Sequence, residues 1–87
     1  MKKVLITGGA GFVGASLAIS LKQDHPSWTI ISLDNLHRRG SELNIPRLRE
    51  NGIQFVHGDV RIREDIEGVG AFDLLIECSA EPSVLAG

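Results

Sequence analysis

Four short, continuously apolar runs divide the chain, with polar, glycine-rich or helix-forming segments between them. The runs predict β-strands at residues 3–7, 29–34, 53–56 and 72–76. From Val13 to Leu21, apolar residues recur at helical spacing and predict a helix over about residues 12–23. Pro26 then ends this helix.

The rest of the chain continues the alternation of strand and helix. Residues 35–45 have the composition of a loop, Pro46 opens a short helix through about Asn51, and another short helix lies near residues 63–67. Continuously apolar strands that alternate with helices are typical of βαβ units and of a parallel sheet covered on both faces. The predicted fold class is α/β: a Rossmann-type parallel sheet, incomplete at about four strands in the order 3-2-1-4, with helices on both faces. It forms one domain over residues 1–87.

A glycine-rich turn joins the first strand to the first helix. Two spacings fit it: Gly9, Gly11 and Gly14 form G-x-G-x-x-G, whereas Gly8, Gly11 and Gly14 form G-x-x-G-x-x-G. We favour the second because Thr7 leads it. Residues without Cβ let a strand turn sharply into a helix whose first N–H groups face a pyrophosphate, so the turn predicts dinucleotide binding.

Asp34 supports this interpretation from the end of the second strand. It lies twenty residues after Gly14, where such sites place an acid that accepts hydrogen bonds from both adenosine ribose hydroxyls. Its charge disfavours the 2′-phosphate of NADP and favours NAD. Arg38 and Arg39 can accommodate that phosphate, which keeps NADP as the less favoured cofactor, although a solvated loop pair also explains them. A loop or helix-capping role is the alternative for Asp34.

Composition narrows the classes of partner and location. The net charge is −2 and the basic residues are scattered, so no face suits nucleic acid. No apolar stretch is long enough for a membrane span. Cys78 is the single cysteine, which leaves no intramolecular disulfide or cysteine metal site and suits the cytoplasm. The three histidines show no metal-ligand spacing, and we predict no metal site.

Several motifs together resemble the extended short-chain dehydrogenase/reductases, in the NAD-dependent epimerase/dehydratase family that acts on nucleotide sugars. The motifs are Thr7 to Gly14, Asp34-Asn35-Leu36, Gly58-Asp59-Val60-Arg61 and Ser79-Ala80. Residues 38–44 and 46–48 are similar to the CDP-paratose/CDP-tyvelose 2-epimerase branch of that family. The resemblance covers essentially the whole chain and implies the N-terminal part of an NAD(P)-binding Rossmann domain.

The resemblance also implies roles for individual residues. Phe12 and Val13 would offer backbone N–H groups to the pyrophosphate, Asp34 and Asn35 would bind the adenosine end, and Asp59 with Val60 would border the adenine. The small residues Ser79 and Ala80 would line the nicotinamide side. The implied cofactor-binding set is Gly8, Gly11, Phe12, Val13, Gly14, Asp34, Asn35, Asp59, Val60, Ser79 and Ala80.

Two positions carry alternatives or depart from the family. Asp59 also suits a turn or a helix cap. The family often continues Gly-Asp-Val-Arg with an acid, whereas residues 62–64 here are Ile-Arg-Glu, at the outer rim of the adenine pocket. Cys78 is expected to pack rather than react, because no nearby His or Lys activates it.

The family's oxidoreduction depends on a Tyr-x-x-x-Lys pair, and this chain has no tyrosine. We therefore assign no catalytic residue and expect the chain alone to be inactive. It would be the NAD-binding portion of a nucleotide-sugar epimerase or dehydratase that works by transient hydride transfer. A stand-alone dinucleotide-binding or interaction module is the alternative. We also expect a homo-oligomer, because the fourth strand would present an uncovered apolar edge.

Overall fold

The computed structural model describes residues 2–37, 40–59 and 61–78, and these form an α/β sheet structure. In chain order the elements are β1 (Lys3–Thr7), α1 (Phe12–Asp24), β2 (Thr29–Asp34), a 3₁₀ helix (Ser41–Asn44), α2 (Ile45–Glu50), β3 (Gln54–His57), α3 (Arg63–Val69) and β4 (Leu74–Glu77). The four strands are parallel, in the order β3-β2-β1-β4. The predicted fold class and strand order are confirmed.

The two faces of the sheet have separate cores, because successive strand residues point to opposite sides. Val4, Ile6 and Ile30 pack with residues of α1 and α2, such as Ala18 and Leu48. On the opposite face, Leu5, Ile31 and Leu33 pack with partly buried residues, namely Val56, Ile66, Val69 and Phe72. Helices α1 and α2 thus cover one face, and α3 covers the other.

This division of the helices locates the point where ligands bind in such folds. The chain moves outward from β1 to β2 and β3 over one face, then returns across the other face to place β4 on the far side of β1. Open parallel sheets bind ligands outside the carboxyl ends of the strands, where this reversal opens a crevice. In this sheet the reversal falls between β1 and β4.

Several element boundaries differ from the sequence predictions, most clearly at residues 41–44 and in β3 and β4. The predicted loop over residues 35–45 contains the 3₁₀ helix, and β3 runs one residue later than predicted. Strand β4 begins at Leu74 rather than at Phe72. The reason is that Phe72 packs against the cluster of Leu5, Ile31 and Leu33. Its apolar character therefore reflects partial burial outside the strand.

The outer strand of the sheet is less covered than continuous apolar strands led us to expect. The side chains of Leu74 and Leu75 are 42% and 47% exposed, whereas Val4, Leu5 and Ile6 in β1 are fully buried. Helix α3 is only seven residues long and incompletely covers the face that carries Leu75, whereas Leu74 lies on the opposite face, the one that carries Val4 and Ile6. No helix within the described ranges is long and apolar enough to cross a membrane.

Candidate functional site

Those predicted site residues that the structure describes gather along the carboxyl edge of the sheet. Parallel pairing aligns Thr7 with Leu33, and Asp34 with His57, so β1, β2 and β3 end at the same edge. The glycine turn follows β1, Asp34 closes β2, and the Gly58–Asp59 turn follows β3. Three chain segments that are distant in sequence therefore meet at one edge.

The glycine turn is fastened directly to the neighbouring strand. The Gly8 N–H donates to the Leu33 carbonyl oxygen at 2.8 Å, and the Gly9 N–H donates to the same oxygen at 3.2 Å. Gly8 has a φ of 71°, a left-handed conformation that disfavours residues with a Cβ. The Gly11 N–H closes the turn on the Gly8 carbonyl oxygen at 3.2 Å.

Steric demand separates the remaining glycines into two kinds. A Cβ on Gly9 would lie 2.5 Å from the Ser32 Cβ, and one on Gly14 would lie 2.9 Å from the Gly9 Cα. Gly11 differs, because its φ is −69° and a Cβ there would meet only the Gly8 oxygen, at 3.4 Å. The fold therefore requires Gly9 and Gly14, while the described part of the chain places no comparable demand on Gly11.

Gly11 is also the residue at which α1 begins. It is the N-cap, it has no capping side chain, and the first turn of the helix contains no acid. The first N–H groups of a helix have no acceptor within it and carry a partial positive charge. The side chains of Phe12 and Val13 are 80% and 68% exposed, so this end of α1 is open. An anion such as a pyrophosphate fits it.

Asp34 is buried at the end of β2, with 8% of its surface exposed. One carboxylate oxygen accepts from the Ala10 N–H at 3.0 Å, and the other accepts from the Leu36 N–H at 2.8 Å. Leu36 has a φ of 60°, which is unusual for a residue with a Cβ. A carboxylate has about four acceptor sites, so Asp34 can hold the loop and still accept from a ribose. The structural and the ligand-binding roles of Asp34 are compatible.

A polar cluster built around Asp59 lies at the end of β3. The Arg61 Nη2 donates to one Asp59 carboxylate oxygen at 2.7 Å, and the Arg61 Nε and backbone N–H donate to the other at 3.0 and 2.9 Å. The Asn35 Nδ2 also donates to Asp59, at 3.3 Å. The hydrogen bonds from Arg61 lower the pKa of the Asp59 carboxyl well below its usual range. Asp59 is thus an anion at neutral pH.

Asp65 on α3 fixes the backbone of this turn. Its carboxylate accepts from the Asp59 N–H at 2.8 Å, and a Cβ on Gly58 would come within 3.1 Å of the Asp65 side chain. The sequence motifs show that residues 62–64 depart from the family pattern, but they assign Asp65 no role. Asp65 lies six positions after Asp59 in the sequence, so no local spacing rule identifies it as a partner of that turn.

Two further contacts of the site were missed from the sequence. The Asn44 Nδ2 donates to the Ala10 carbonyl oxygen at 2.7 Å, across 34 positions of the chain. Arg61 was quoted only as part of a motif, although it makes three hydrogen bonds to Asp59. The Asn44 contact arises from tertiary folding, which no local motif encodes. The Arg61 bonds join residues only two positions apart, and the Asx-turn pattern of an aspartate that accepts from the N–H two residues later could have indicated them.

Some predicted residues lie outside the described ranges, namely Val60, Ser79, Ala80, Arg38 and Arg39. Cys78, the last described residue, is half-buried, and its N–H donates to the Thr7 carbonyl oxygen at 2.8 Å. Burial, and secondarily the charge of Glu77, raises the pKa of the Cys78 thiol. A raised pKa favours the unreactive thiol, which supports the packing role expected for Cys78.

Comparison with known proteins places this arrangement in a family. A model described as the NAD dependent epimerase/dehydratase family matches residues 4–86. CDP-paratose 2-epimerase of Salmonella typhi is 44% identical over 66 residues, which cover 74% of this chain and 19% of that protein. UDP-glucose 4-epimerase of Neisseria meningitidis is 42% identical over 76 residues, covering 82% of this chain and 21% of that protein.

Solved structures give the same result at the level of the fold. A dTDP-glucose 4,6-dehydratase of Bacillus anthracis in complex with NAD superposes with a TM-score of 0.83 at 27% identity, covering 97% of this chain and 28% of that one. A UDP-glucose 4-epimerase of Bifidobacterium longum, in complex with NAD⁺ and UDP, gives 0.74 at 29% identity, covering 91% and 24%. The chain therefore spans only about a quarter of the length of these structures.

The Asp59–Arg61 pair generates a prediction about pH. A carboxyl whose pKa is lowered on folding contributes stability above its unfolded pKa of about 3.9 and loses it as pH falls through the folded value. We expect Arg61→Gln to raise the pKa of Asp59 towards its usual range. The pH range between the folded and the unfolded pKa, over which this stability is lost, should become narrower. An NMR titration of the Asp59 carboxyl carbon measures the change.

Arg63→Gln is the matched control for this titration. The Arg63 Nε lies 3.9 Å from the Glu67 carboxylate in an exposed pair one turn along α3, without contact to Asp59. Its replacement should leave the Asp59 titration unchanged. Equal Asp59 titrations in the wild type and in Arg61→Gln would contradict the assigned cause of the shift.

Proposed function

This chain belongs to the NAD dependent epimerase/dehydratase family, as its sequence predicted, and we propose that it is the NAD-binding portion of a nucleotide-sugar epimerase or dehydratase. The observation that carries the proposal is the open N-terminus of α1, where Gly11 is a glycine that the fold itself does not demand. A ligand that approaches the backbone closely explains this glycine.

The proposed cofactor site extends from this turn along the carboxyl edge. The N–H groups of Phe12 and Val13 would receive the pyrophosphate, because they belong to the uncapped first turn of α1. Asp34 would accept from the adenosine ribose, while Asn35 and Asp59, joined by a 3.3 Å hydrogen bond, would border the adenine. The family resemblance implies that Val60 would border the adenine and that Ser79 and Ala80 would line the nicotinamide side; all three lie outside the described residues.

The charges at the adenosine end support NAD over NADP. Asp34 lies buried beside the glycine turn, and a 2′-phosphate on the ribose would meet its negative charge. The guanidinium of Arg61 is already paired with Asp59. When bound, NAD would accept a hydride from the sugar and return it, which is the chemistry that the family's description implies.

A cytoplasmic location is part of the proposal. It is supported by the usage of cysteine, since Cys78 is the only one in the sequence and forms no intramolecular disulfide. Recovery of the protein from a secreted fraction would contradict it.

Substitutions of two glycines test the cofactor site. Gly11→Ala should change the free energy of unfolding by less than about 1 kcal/mol, because its φ suits alanine while alanine is a poorer N-cap than glycine. The same change should weaken NAD binding about tenfold or more, a loss of at least ~1.4 kcal/mol, because the methyl group enters the path of the pyrophosphate. Isothermal calorimetry with NAD, and separately with NADP, measures the binding.

Two further variants complete that comparison. Gly9→Ala should destabilise the protein by about 1–3 kcal/mol, because its Cβ overlaps Ser32. Gly68→Ala is the control: it lies in α3, where an added methyl group would meet nothing within 4 Å, and it should leave NAD binding unchanged. Wild-type affinity in Gly11→Ala would contradict the proposed site.

We expect the chain alone to show no epimerase or dehydratase turnover. It has no tyrosine, and Lys2, Lys3 and Lys22 are its only lysines, so it lacks the Tyr-x-x-x-Lys pair that moves the proton during hydride transfer. A steady-state assay with a CDP-sugar and NAD checks this, and measurable turnover would refute it. A Tyr-x-x-x-Lys pair encoded beyond Gly87 would rule out the alternative, a stand-alone binding or interaction module.

We also propose that the chain self-associates through β4. Leu74 and Leu75 are 42% and 47% exposed, and a strand at the edge of a sheet can pair with another chain. Light scattering should report a mass above that of the 9.4 kDa monomer, and Leu75→Lys should lower it. A clean monomer mass for the wild type at high concentration would count against this assembly.

A further inference from the structure

The peptide groups of Ala10 are held from two sides by side chains that are distant in sequence. Its N–H donates to an Asp34 carboxylate oxygen at 3.0 Å, and its carbonyl oxygen accepts from the Asn44 Nδ2 at 2.7 Å. Ala10 itself is fully buried. The middle of the glycine turn therefore rests on two elements outside it, the end of β2 and the 3₁₀ helix.

The bond from Asn44 fixes the group that leads into α1. The Ala10 carbonyl and the Gly11 N–H belong to the same peptide plane, which is rigid. That N–H donates to the Gly8 carbonyl oxygen at 3.2 Å, so Asn44 and Gly8 hold opposite sides of one plane. Glycines on either side of Ala10 leave the backbone free to rotate, so the turn depends on such external anchors for its orientation.

The position of Asn44 makes its partner informative. It ends the 3₁₀ helix and stands at the N-cap of α2, where an asparagine side chain commonly bonds to the backbone N–H groups of its own helix. Here it makes no such capping bond and reaches the glycine turn instead. The amide thus contributes to the geometry of the turn in place of the helix that it could cap.

We propose that Asn44 is a positioning residue for the pyrophosphate of the dinucleotide, acting through the Ala10–Gly11 peptide. This inference rests on the proposed function. With the plane fixed, the N–H groups of Phe12 and Val13 keep a constant direction from the N-cap of α1. Without Asn44, the plane keeps only the Gly8 contact, and the first turn of α1 loses orientation towards the phosphates.

The test compares Asn44→Ala with Asn51→Ala. The Asn51 Nδ2 donates to the Arg47 carbonyl oxygen at 2.8 Å, a bond of the same kind at the other end of α2 that is exposed. Calorimetry measures the affinity of both variants and of the wild type for NAD, ADP and adenosine. Loss of one hydrogen bond of about 0.5–1.5 kcal/mol corresponds to about two- to tenfold in affinity.

The expected pattern depends on the phosphates. Asn44→Ala should lower the affinity for NAD and for ADP about two- to tenfold and leave the affinity for adenosine unchanged. Asn51→Ala should bind all three ligands as the wild type does. Amide hydrogen exchange in the ligand-free protein should be faster at Ala10, Gly11 and Phe12 in Asn44→Ala. If Asn44 had only a structural role, the affinity for all three ligands would fall equally and the Tm would fall as well. That result would overturn the inference.

The remaining outcomes separate this inference from the proposed function. Wild-type affinity for NAD in Asn44→Ala overturns the role of Asn44 alone. Absence of NAD binding by the wild type overturns the proposed function, and the inference with it. Should Asn44→Ala fail to fold, Asn44→Asp removes the same donor at nearly constant shape. Its loss of NAD affinity should persist in about 1 M salt, where a purely Coulombic effect is screened.

Discussion

Close packing of the glycine turn against β2 is the constraint on which the rest of the site depends. The Leu33 carbonyl oxygen accepts from two successive N–H groups of the turn, and Gly9 lies against Ser32 with no room for a Cβ. This contact sets where α1 starts, because Gly14 in its first turn packs on Gly9. The buried hydroxyl of Ser32 has no hydrogen-bond partner among the described residues, so its small size is what the contact uses.

The same packing brings the negative charge of Asp34 under the turn. Since β2 ends beside the turn, the Asp34 carboxylate meets the Ala10 N–H, and the Asp34 carbonyl oxygen accepts from the Gly58 N–H at 3.0 Å. One residue therefore links the glycine turn to the turn after β3. Contacts within the chain order Asp34 and Asp59, which would reduce the entropic cost of binding the proposed cofactor.

Much of the fold is predictable from the sequence because its signals are local. Continuous apolar runs identified all four strands, and the alternation with helices indicated the parallel order. Boundaries were less accurate where an apolar residue is buried for another reason, as Phe72 is against α3. The 3₁₀ helix at residues 41–44 was missed, because four residues of polar composition carry no periodicity.

The site residues also divide into those that local sequence signals identify and those that they do not. Gly8, Gly14 and Asp34 follow from spacing within a motif, and Asp59 from the family resemblance. Asn44 and Asp65 act through contacts that only the folded chain creates. The sequence favoured the spacing of Gly8, Gly11 and Gly14 over the one that includes Gly9, whereas the structure distinguishes the glycines by what surrounds each one. Packing within the chain requires glycine at positions 9 and 14. The space beside Gly11 is open, at the end of a helix that has no capping side chain. The functional signal is strongest at Gly11 because folding alone does not explain it.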